Sequence, residues 1–218
     1  HDASDKLRQQ IKWDELAKQN VWTELIKRKL YCQSALLARH KLSQHALLEK
    51  YIAELQPNDS TNREGHAAKV YFNALWGKQF SRSEETPVTA ALNYGYSLLL
   101  SAVNREICAA GYSTQLGINH SNTFNHFNLG CDFLEPLRPL IDDKVFQMAP
   151  QQFEREEKMQ LIQLLNSQVM IEDKRQYLLS AVRIYCTSLL NALQRADTDE
   201  IAWIEYPIGS QALEMNHP

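Results

Sequence analysis

The chain has 218 residues, of which 44% are hydrophobic and 22% are charged, a composition typical of a soluble globular protein. Its formal net charge of −3 excludes a surface that is basic throughout, so any nucleic-acid binding would depend on a local basic patch. We find no signal peptide and no run of about eighteen apolar residues, which argues against secretion and membrane spanning and predicts a cytoplasmic protein.

The four cysteines, Cys32, Cys108, Cys131 and Cys186, lie far apart in the sequence and form no CxxC pair. This spacing predicts reduced cysteines rather than disulfides or a zinc site, with Cys131 in the core. The chain begins with His1 rather than methionine, and we expect it to be part of a longer protein.

Over residues 13–42, apolar residues recur at helical spacing and basic residues are interleaved with few acids, which predicts a basic amphipathic helix. The basic residues of this stretch are Lys18, Lys27, Arg28, Lys29, Arg39 and Lys41. Such a face suits a phosphate backbone, and Lys27 and Arg28 are its candidate DNA contacts. The simpler alternative is a charged face that is only solvated.

A second helix is expected over residues 43–55, with Ser43 as its N-cap. After a Pro-Asn-Asp-Ser break, Thr61 and Glu64 have the spacing of a capping box, so helix capping is the simplest role for Glu64. A chemical role for Glu64 would require its carboxylate to turn away from Thr61. Gly77 is predicted to end the helix that follows.

A long helix is predicted over residues 88–110, and because it is apolar on nearly all sides we expect it to be central. Gly95 lies within this helix at a cost of roughly 1 kcal/mol relative to alanine. A glycine in that position indicates close packing against another helix or a ligand. Gly111 is predicted to end the helix.

The stretch 117–139 holds more histidine, asparagine and acidic residues than a core helix would, because buried polar groups need partners. Asp132 and Glu135 are three residues apart and would share one face of a helix. Pro136 favours a new helix that starts near Glu135. Together with a histidine of this stretch, two acids on one face are suited to a hard metal ion.

Two further helices are predicted over residues 151–168 and 172–195. The tail from residue 197 is predicted either to dock on a partner as an extended segment or to be disordered at its end. We find no pattern typical of a β-sheet, so we predict an all-α fold of about seven to nine helices, treated as a single domain over residues 1–218. Its parts are N-terminal basic helices over 1–57, a metal-site core over 58–150, and C-terminal helices and a tail over 151–218.

Three blocks of the sequence carry a family resemblance. They are NREGHAAKVYFNALWG, ALNYGYSLLLSAVNREICAAG and LGINHSNTFNHFNLGCDFLEPLRPLID. In this order they resemble the catalytic domain of the CRISPR spacer-acquisition integrase, the first of the two universal Cas proteins, in its type II form. The resemblance is strongest over residues 62–143 and looser on either side. Thr89 and Leu137 depart from the residues common in the family.

The resemblance implies an all-α catalytic domain, with the family's N-terminal β-domain absent from this chain. The family's ligands for Mg²⁺ or Mn²⁺ fall on Glu64, His120 and Glu135, and Asp132 is an additional candidate ligand one helical turn before Glu135. Oxygen donors with one imidazole suit these ions. The wider set of candidate DNA contacts is Arg63, Lys69, Arg138, Lys27 and Arg28. Arg138 has the equal alternative of an ion pair with Glu135.

The implied function is that of a metal-dependent DNA integrase and endonuclease of CRISPR adaptation, a part of antiviral defence. In the family, a DNA 3′-hydroxyl attacks a phosphodiester of the repeat. The implied partners are double-stranded DNA (prespacer and CRISPR repeat), a second copy of the chain in a homodimer, and the small second universal Cas protein. The alternatives are a non-catalytic DNA-binding scaffold, a degenerate integrase fragment and an unrelated metal-dependent nuclease.

Overall fold

The computed structural model describes residues 3–205, and within that range the chain is predominantly helical, as predicted. The α-helices are α1 (Ala3–Ile11), α2 (Glu15–Arg39), α3 (His45–Ala53), α4 (Arg63–Trp76), α5 (Pro87–Ala109), α6 (Asn128–Leu134), α7 (Arg138–Met148), α8 (Arg155–Leu164) and α9 (Leu178–Arg195). The other elements are two 3-10 helices, Pro57–Asp59 and Glu135–Leu137, and two strands, β1 (Gln168–Ile171) and β2 (Lys174–Tyr177). None of the helices in this range is both long and apolar enough to cross a membrane.

The two longest helices, α2 and α5, are fixed at their starts by side-chain caps. Asp14 accepts hydrogen bonds from the backbone N–H groups of Leu16 and Ala17 at the start of α2. Thr86 and Thr89 form a reciprocal capping box at the start of α5. Both helices bury long apolar stripes in one hydrophobic core that α6, α7 and α9 also share.

The prediction of close packing at Gly95 is confirmed, because α7 crosses α5 at this residue. A Cβ atom added to Gly95 would lie 2.5 Å from Cγ2 of Ile141. The predicted helix ends at Gly77 and Gly111 are also confirmed, and both glycines have a φ of 87° in the left-handed region.

Two predicted helix caps are wrong. α3 begins at His45 with Gln44 in the cap position and no side-chain cap, so Ser43 is not its N-cap. α4 is preceded by Asn62 in a left-handed conformation, and Thr61 does not form a capping box with Glu64. At α4 the reason is Asp59 in the preceding 3-10 turn, because its carboxylate accepts hydrogen bonds from the first backbone N–H groups of the helix.

The helices predicted over 151–168 and 172–195 are too long, because a β-hairpin separates them. β1 and β2 pair antiparallel from Gln168 opposite Tyr177 to Ile171 opposite Lys174. Glu172 and Asp173 form the turn with φ of 50° and 58°, the backbone twist that tight hairpins require. The expectation of no sheet is therefore wrong in this segment.

The described part of the tail packs against its own chain, and docking on a partner stays a prediction. Glu205 exchanges backbone hydrogen bonds of 3.0 and 2.8 Å with Met170 of β1. Arg28 donates to the carbonyl oxygen of Ile204 at 3.0 Å and lies over the ring of Trp203. The rest of the tail prediction, from residue 206, lies outside the described residues.

All four cysteines are free thiols, as predicted. Cys32 and Cys186 are buried, Cys108 is exposed, and Cys131 is half-buried rather than in the core. Burial raises the pKa of Cys32 to about 11, so this thiol remains protonated and unreactive at neutral pH.

Candidate active site

The candidate site is organised around one buried lysine that bridges two of the predicted ligands. The ammonium Nζ of Lys29 on α2 lies 2.5 Å from a carboxylate oxygen of Glu64 and 2.5 Å from one of Glu135. The side chains of Lys29 and Glu135 are each 8% exposed and that of Glu64 is 32% exposed. One cation therefore joins two carboxylates that are 71 positions apart in the sequence.

Glu64 reaches this position because another carboxylate caps its helix. Asp59, in the 3-10 turn before α4, accepts hydrogen bonds from the backbone N–H groups of Arg63 at 2.7 Å and Glu64 at 3.0 Å. With those donors satisfied, the Glu64 side chain is not needed for capping and faces α2 instead.

Glu135 is placed by the short 3-10 helix between α6 and α7, where Pro136 occupies the first turn. Besides Lys29, Glu135 accepts a hydrogen bond of 3.0 Å from Nε of Arg138, so the predicted ion pair between these two residues is present. Burial works to raise the pKa of Glu135, but the charges of Lys29 and Arg138 outweigh it and hold the pKa at about 2.

The same pairing keeps Lys29 charged. Burial alone would lower the pKa of Lys29, yet the charges and hydrogen bonds of Glu135 and Glu64 outweigh it and the pKa is raised. The cluster of Lys29, Glu64, Glu135 and Arg138 thus contains two positive and two negative groups. Its fixed charges balance without any further ion.

His120 lies in the loop between α5 and α6, and Asp132 of α6 holds it there. Nδ1 of His120 lies 2.6 Å from Asp132, whose side chain is fully buried. The same carboxylate accepts backbone hydrogen bonds from Ile118, Asn119 and His120 at 2.7 to 3.2 Å. Asp132 therefore uses about four acceptor positions, the full capacity of a carboxylate.

The hydrogen bond to Asp132 fixes the orientation of the His120 imidazole. Because Nδ1 faces Asp132, Nε2 is the nitrogen left for another partner, in the manner of metal-binding histidines supported by a carboxylate. The hydrogen bond to Asp132 raises the pKa of His120 above its ordinary value, against the opposing effect of partial burial.

The loop that carries His120 needs a glycine and an asparagine to close. A Cβ atom at Gly117 would lie 2.3 Å from the carbonyl oxygen of His120 and 2.8 Å from Asp132, so only glycine fits. Asn128 donates hydrogen bonds of 3.0 Å to the carbonyl oxygens of Gln115 and Asn122. These contacts explain the unusual polarity of the stretch 117–139.

A cavity of about 230 Å³ opens beside the carboxylates. Three cations line it, namely Lys29, Arg82 and Arg138. Arg82 lies over the ring of Tyr96 and donates to Asn93, and its Nη1 is buried without a hydrogen-bond partner among the described residues. Three acids also line the cavity, namely Glu64, Glu135 and Asp142. The donor left for an anionic group such as a phosphate is therefore Nη1 of Arg82.

Asp142 of α7 lines the floor of the cavity and links α4 to α5 by hydrogen bonds. It accepts hydrogen bonds from the hydroxyl groups of Tyr71 on α4, at 2.9 Å, and Tyr96 on α5. Burial raises the pKa of Asp142 to about 6, although the two tyrosine donors act in the opposite direction. Sequence reasoning did not single out Asp142, Tyr71 or Arg82.

The donor set fits Mg²⁺ or Mn²⁺ in the kind of ligand that it offers. Glu64 and Glu135 converge on a single cation position, and His120 has an oriented imidazole, so oxygen and nitrogen donors of the right kind are present. Within residues 3–205, however, no three acidic, histidine or cysteine side chains stand close enough to hold an ion as they lie. The two acids are brought together by Lys29, whereas His120 is held by Asp132 and lines a different cavity.

Some of the candidate DNA contacts are exposed to solvent, and others are held by partners within the chain. Lys69 is exposed, and Lys27 is exposed with only a 3.7 Å pair to Glu24. Arg63 pairs with Glu54 at 2.9 Å, and Arg28 is committed to the tail. Their contacts with DNA remain predictions.

Lys29 is the main residue for which the sequence prediction is wrong, because it lies in the core and not on the basic, solvent-facing side of α2. It lies three and four residues after Ile26 and Leu25, both fully buried, and is therefore on the apolar stripe. A lysine on that stripe requires a buried acidic partner, and this signal was available in the sequence.

Comparisons with known proteins agree with this architecture. Residues 3–183 match the sequence model of the family described as CRISPR associated protein Cas1. A CRISPR-associated endonuclease Cas1 of Neisseria meningitidis serogroup C (strain 8013) is 37% identical over 160 residues, which are 71% of this chain and 51% of the relative. The chain thus spans about half the length of that relative.

Two solved structures share the fold. A casposase bound to integration product has a TM-score of 0.68 at 19% identity, covering 84% of this chain and 66% of that one. A chain of a partial Cas6-RT-Cas1–Cas2 complex has a TM-score of 0.71 at 19% identity, covering 92% and 74%. Since the family match extends over most of the sequence and the helical architecture agrees, the chain belongs to the CRISPR associated protein Cas1 family.

Proposed function

We propose that this chain is the helical catalytic part of a metal-dependent DNA integrase and endonuclease that inserts spacer DNA during CRISPR adaptation. The observation that carries the proposal is the convergence of Glu64 and Glu135 on one buried cation position, in a member of the Cas1 family. Glu64 and Glu135 would hold Mg²⁺ or Mn²⁺ with Nε2 of His120, and Asp132 would orient His120 rather than bind the ion itself.

A bound divalent ion would polarise the phosphodiester and stabilise the charge that develops on the attacking and leaving oxygens. The reaction is a transesterification, in which a new P–O bond forms to the DNA 3′-oxygen and the P–O bond to the leaving 3′-oxygen breaks. The proton of the attacking hydroxyl is transferred to solvent and the leaving oxygen takes one up, so no ATP is required.

The chain's own contribution is binding and charge placement, which phosphoryl transfer needs more than a protein nucleophile. Arg82 and Arg138 line the cavity beside the carboxylates and would neutralise the phosphate under attack. Lys27 and Lys69, both exposed, would contact the flanking DNA backbone.

The proposed partners are double-stranded DNA, a second copy of the chain, and the small second universal Cas protein, with the reaction in the cytoplasm. The support for DNA is the fold shared with a casposase described as bound to integration product. The support for the small Cas partner is the fold shared with a chain of a complex that contains Cas1 and Cas2.

The test is strand transfer on a branched DNA that mimics the half-integrated intermediate, with Mn²⁺ present. The proteins are this chain and a longer protein that includes the family's β-domain. In each, the unsubstituted protein is compared with Glu64→Gln and with the control Glu49→Gln, which changes an exposed acid on α3. We expect Glu64→Gln to lose more than about 100-fold in rate, since even partners outside the ligand shell contribute 10- to 100-fold, and Glu49→Gln to keep its rate.

Each alternative gives a different outcome. Mn²⁺ binding without strand transfer in either protein would indicate a degenerate integrase. The absence of both Mn²⁺ binding and strand transfer would indicate a DNA-binding scaffold. Cleavage without preference for branched or repeat DNA would indicate a nuclease unrelated to adaptation.

A further inference from the structure

Lys29 occupies the position between the two carboxylates that a divalent ion would need. Its Nζ makes hydrogen bonds of 2.5 Å to both Glu64 and Glu135, and its side chain is only 8% exposed. A metal ion bound by the same two oxygens would lie against this ammonium, with little water between them. Two cations at such a distance repel strongly in a buried setting, so Lys29 and the metal exclude each other.

A second hydrogen-bond acceptor for the Lys29 ammonium lies one helical turn further along α2. Gln33 is 1% exposed, and its Oε1 is buried without a hydrogen-bond partner among residues 3–205. Since Lys29 and Gln33 are four residues apart, their side chains lie on the same face of the helix. Both line the cavity of about 230 Å³ that Arg82 and Arg138 also line.

We propose that Lys29 is a built-in competitor for the metal. Without a metal, its ammonium neutralises Glu64 and Glu135 and holds them together. When a divalent cation binds, the ammonium turns to Oε1 of Gln33 and into the cavity, where it joins Arg82 and Arg138 against a DNA phosphate. The inference rests on the proposed metal site and deepens it, because it makes metal binding and phosphate binding support each other.

The test measures Mn²⁺ affinity by the loss of the free-ion electron paramagnetic resonance signal, without DNA. The variants are Lys29→Met and, as matched control, Lys50→Met, whose lysine is 67% exposed and pairs only loosely with Glu54 at 3.7 Å. We expect Lys29→Met to bind Mn²⁺ on the order of tenfold more tightly, as for removal of one strong charge-assisted contact, and Lys50→Met to stay within about twofold.

Thermal unfolding gives a second readout that does not depend on activity. In chelator, Lys29→Met leaves two acids short of a partner and should unfold at a lower temperature than wild type. Added Mn²⁺ should raise the unfolding temperature of Lys29→Met more than that of wild type. A residue with only a structural role would lower stability without tightening metal binding.

Gln33→Leu removes the second acceptor for the ammonium. It also keeps the inference testable if Lys29→Met does not fold. It should weaken Mn²⁺ binding on the order of tenfold, because the displaced ammonium loses an acceptor. Equal Mn²⁺ affinity in wild type, Lys29→Met and Gln33→Leu would overturn the inference and leave the proposed metal site intact. No Mn²⁺ binding in any of them would remove the metal site itself, and the proposed function with it.

Discussion

At the scale of single residues, the fully buried carboxylate of Asp132 is the support on which His120 depends. Asp132→Asn replaces one acceptor oxygen with an NH₂ group that faces backbone N–H donors. We expect Mn²⁺ affinity to fall about 10- to 100-fold, the usual effect of losing a histidine's carboxylate support. We also expect a loss of about 1–3 kcal/mol in the free energy of unfolding, because a buried donor is left unsatisfied.

The measurement is Mn²⁺ titration alongside urea unfolding, with Asp173→Asn as control. Asp173 is exposed in the hairpin turn at a φ of 58°, which asparagine tolerates well. Lower stability with unchanged Mn²⁺ affinity would show that Asp132 supports the loop and not the metal site.

Residue roles were predictable where the sequence carries a local motif and not where distant segments compete. Thr61 and Glu64 have capping-box spacing, yet Asp59 caps the helix, because a left-handed Asn62 brings the 3-10 turn under the first N–H groups of α4. The bridge from Lys29 to Glu135 joins residues 106 positions apart, and only the fold determines such a contact.

At the scale of elements, the crossing of α5 and α7 sets where Glu135 and Arg138 lie. Gly95→Ala would raise intrinsic helix stability by about 0.5–1 kcal/mol. Against this, its Cβ would lie 2.5 Å from Ile141, and overpacking of this kind costs about 1–3 kcal/mol. We therefore expect a net loss of about 1–2 kcal/mol in the free energy of unfolding, measured in urea.

The double variant with Ile141→Ala isolates this contact. In that background the space beside Gly95 is open, so Gly95→Ala should become neutral or stabilising. A stabilising effect of Gly95→Ala with Ile141 intact would mean that α5 and α7 do not meet at this residue.

Element types were predictable from periodicity where the segments are long and not where they are short. The 23-residue α5 was recognised within one residue at each end. The strands β1 and β2 have four residues each, too short for periodicity to distinguish them from a helix. The buried alternation of Val169 and Ile171 was the remaining signal for β1.

At the scale of the whole molecule, two buried carboxylates give the fold opposite responses to pH. The pKa of Glu135 is lowered from 4.5 to about 2, so its contribution to stability is present above pH 4.5 and is lost as the pH falls toward 2. The pKa of Asp142 is raised from 3.8 to about 6, so the folded state binds the proton more tightly than the unfolded state. Stability therefore falls as the pH rises from about 4 to 6.

Asp142→Asn separates the two responses. A shift of this size corresponds to about 3 kcal/mol, so wild type should lose about that amount from Asp142 between pH 4 and 7. The variant keeps one acceptor oxygen for one tyrosine hydroxyl and presents an NH₂ donor to the oxygen of the other. It has no carboxyl proton to release, so this decline should disappear. The rise between pH 2 and 4.5 should remain in both proteins, because Glu135 is unchanged.

The measurement is the free energy of unfolding in urea at several pH values from 3 to 7, with chelator present. The difference between wild type and Asp142→Asn cancels the contributions of all other groups, and it should change by about 3 kcal/mol across the window from pH 4 to 6. A constant difference would show that Asp142 has the same pKa in the folded and unfolded states, because its two tyrosine donors and the charges of Arg82 and Arg138 offset its burial. In that case the cavity floor would carry a permanent negative charge and would oppose the phosphate that the three cations attract.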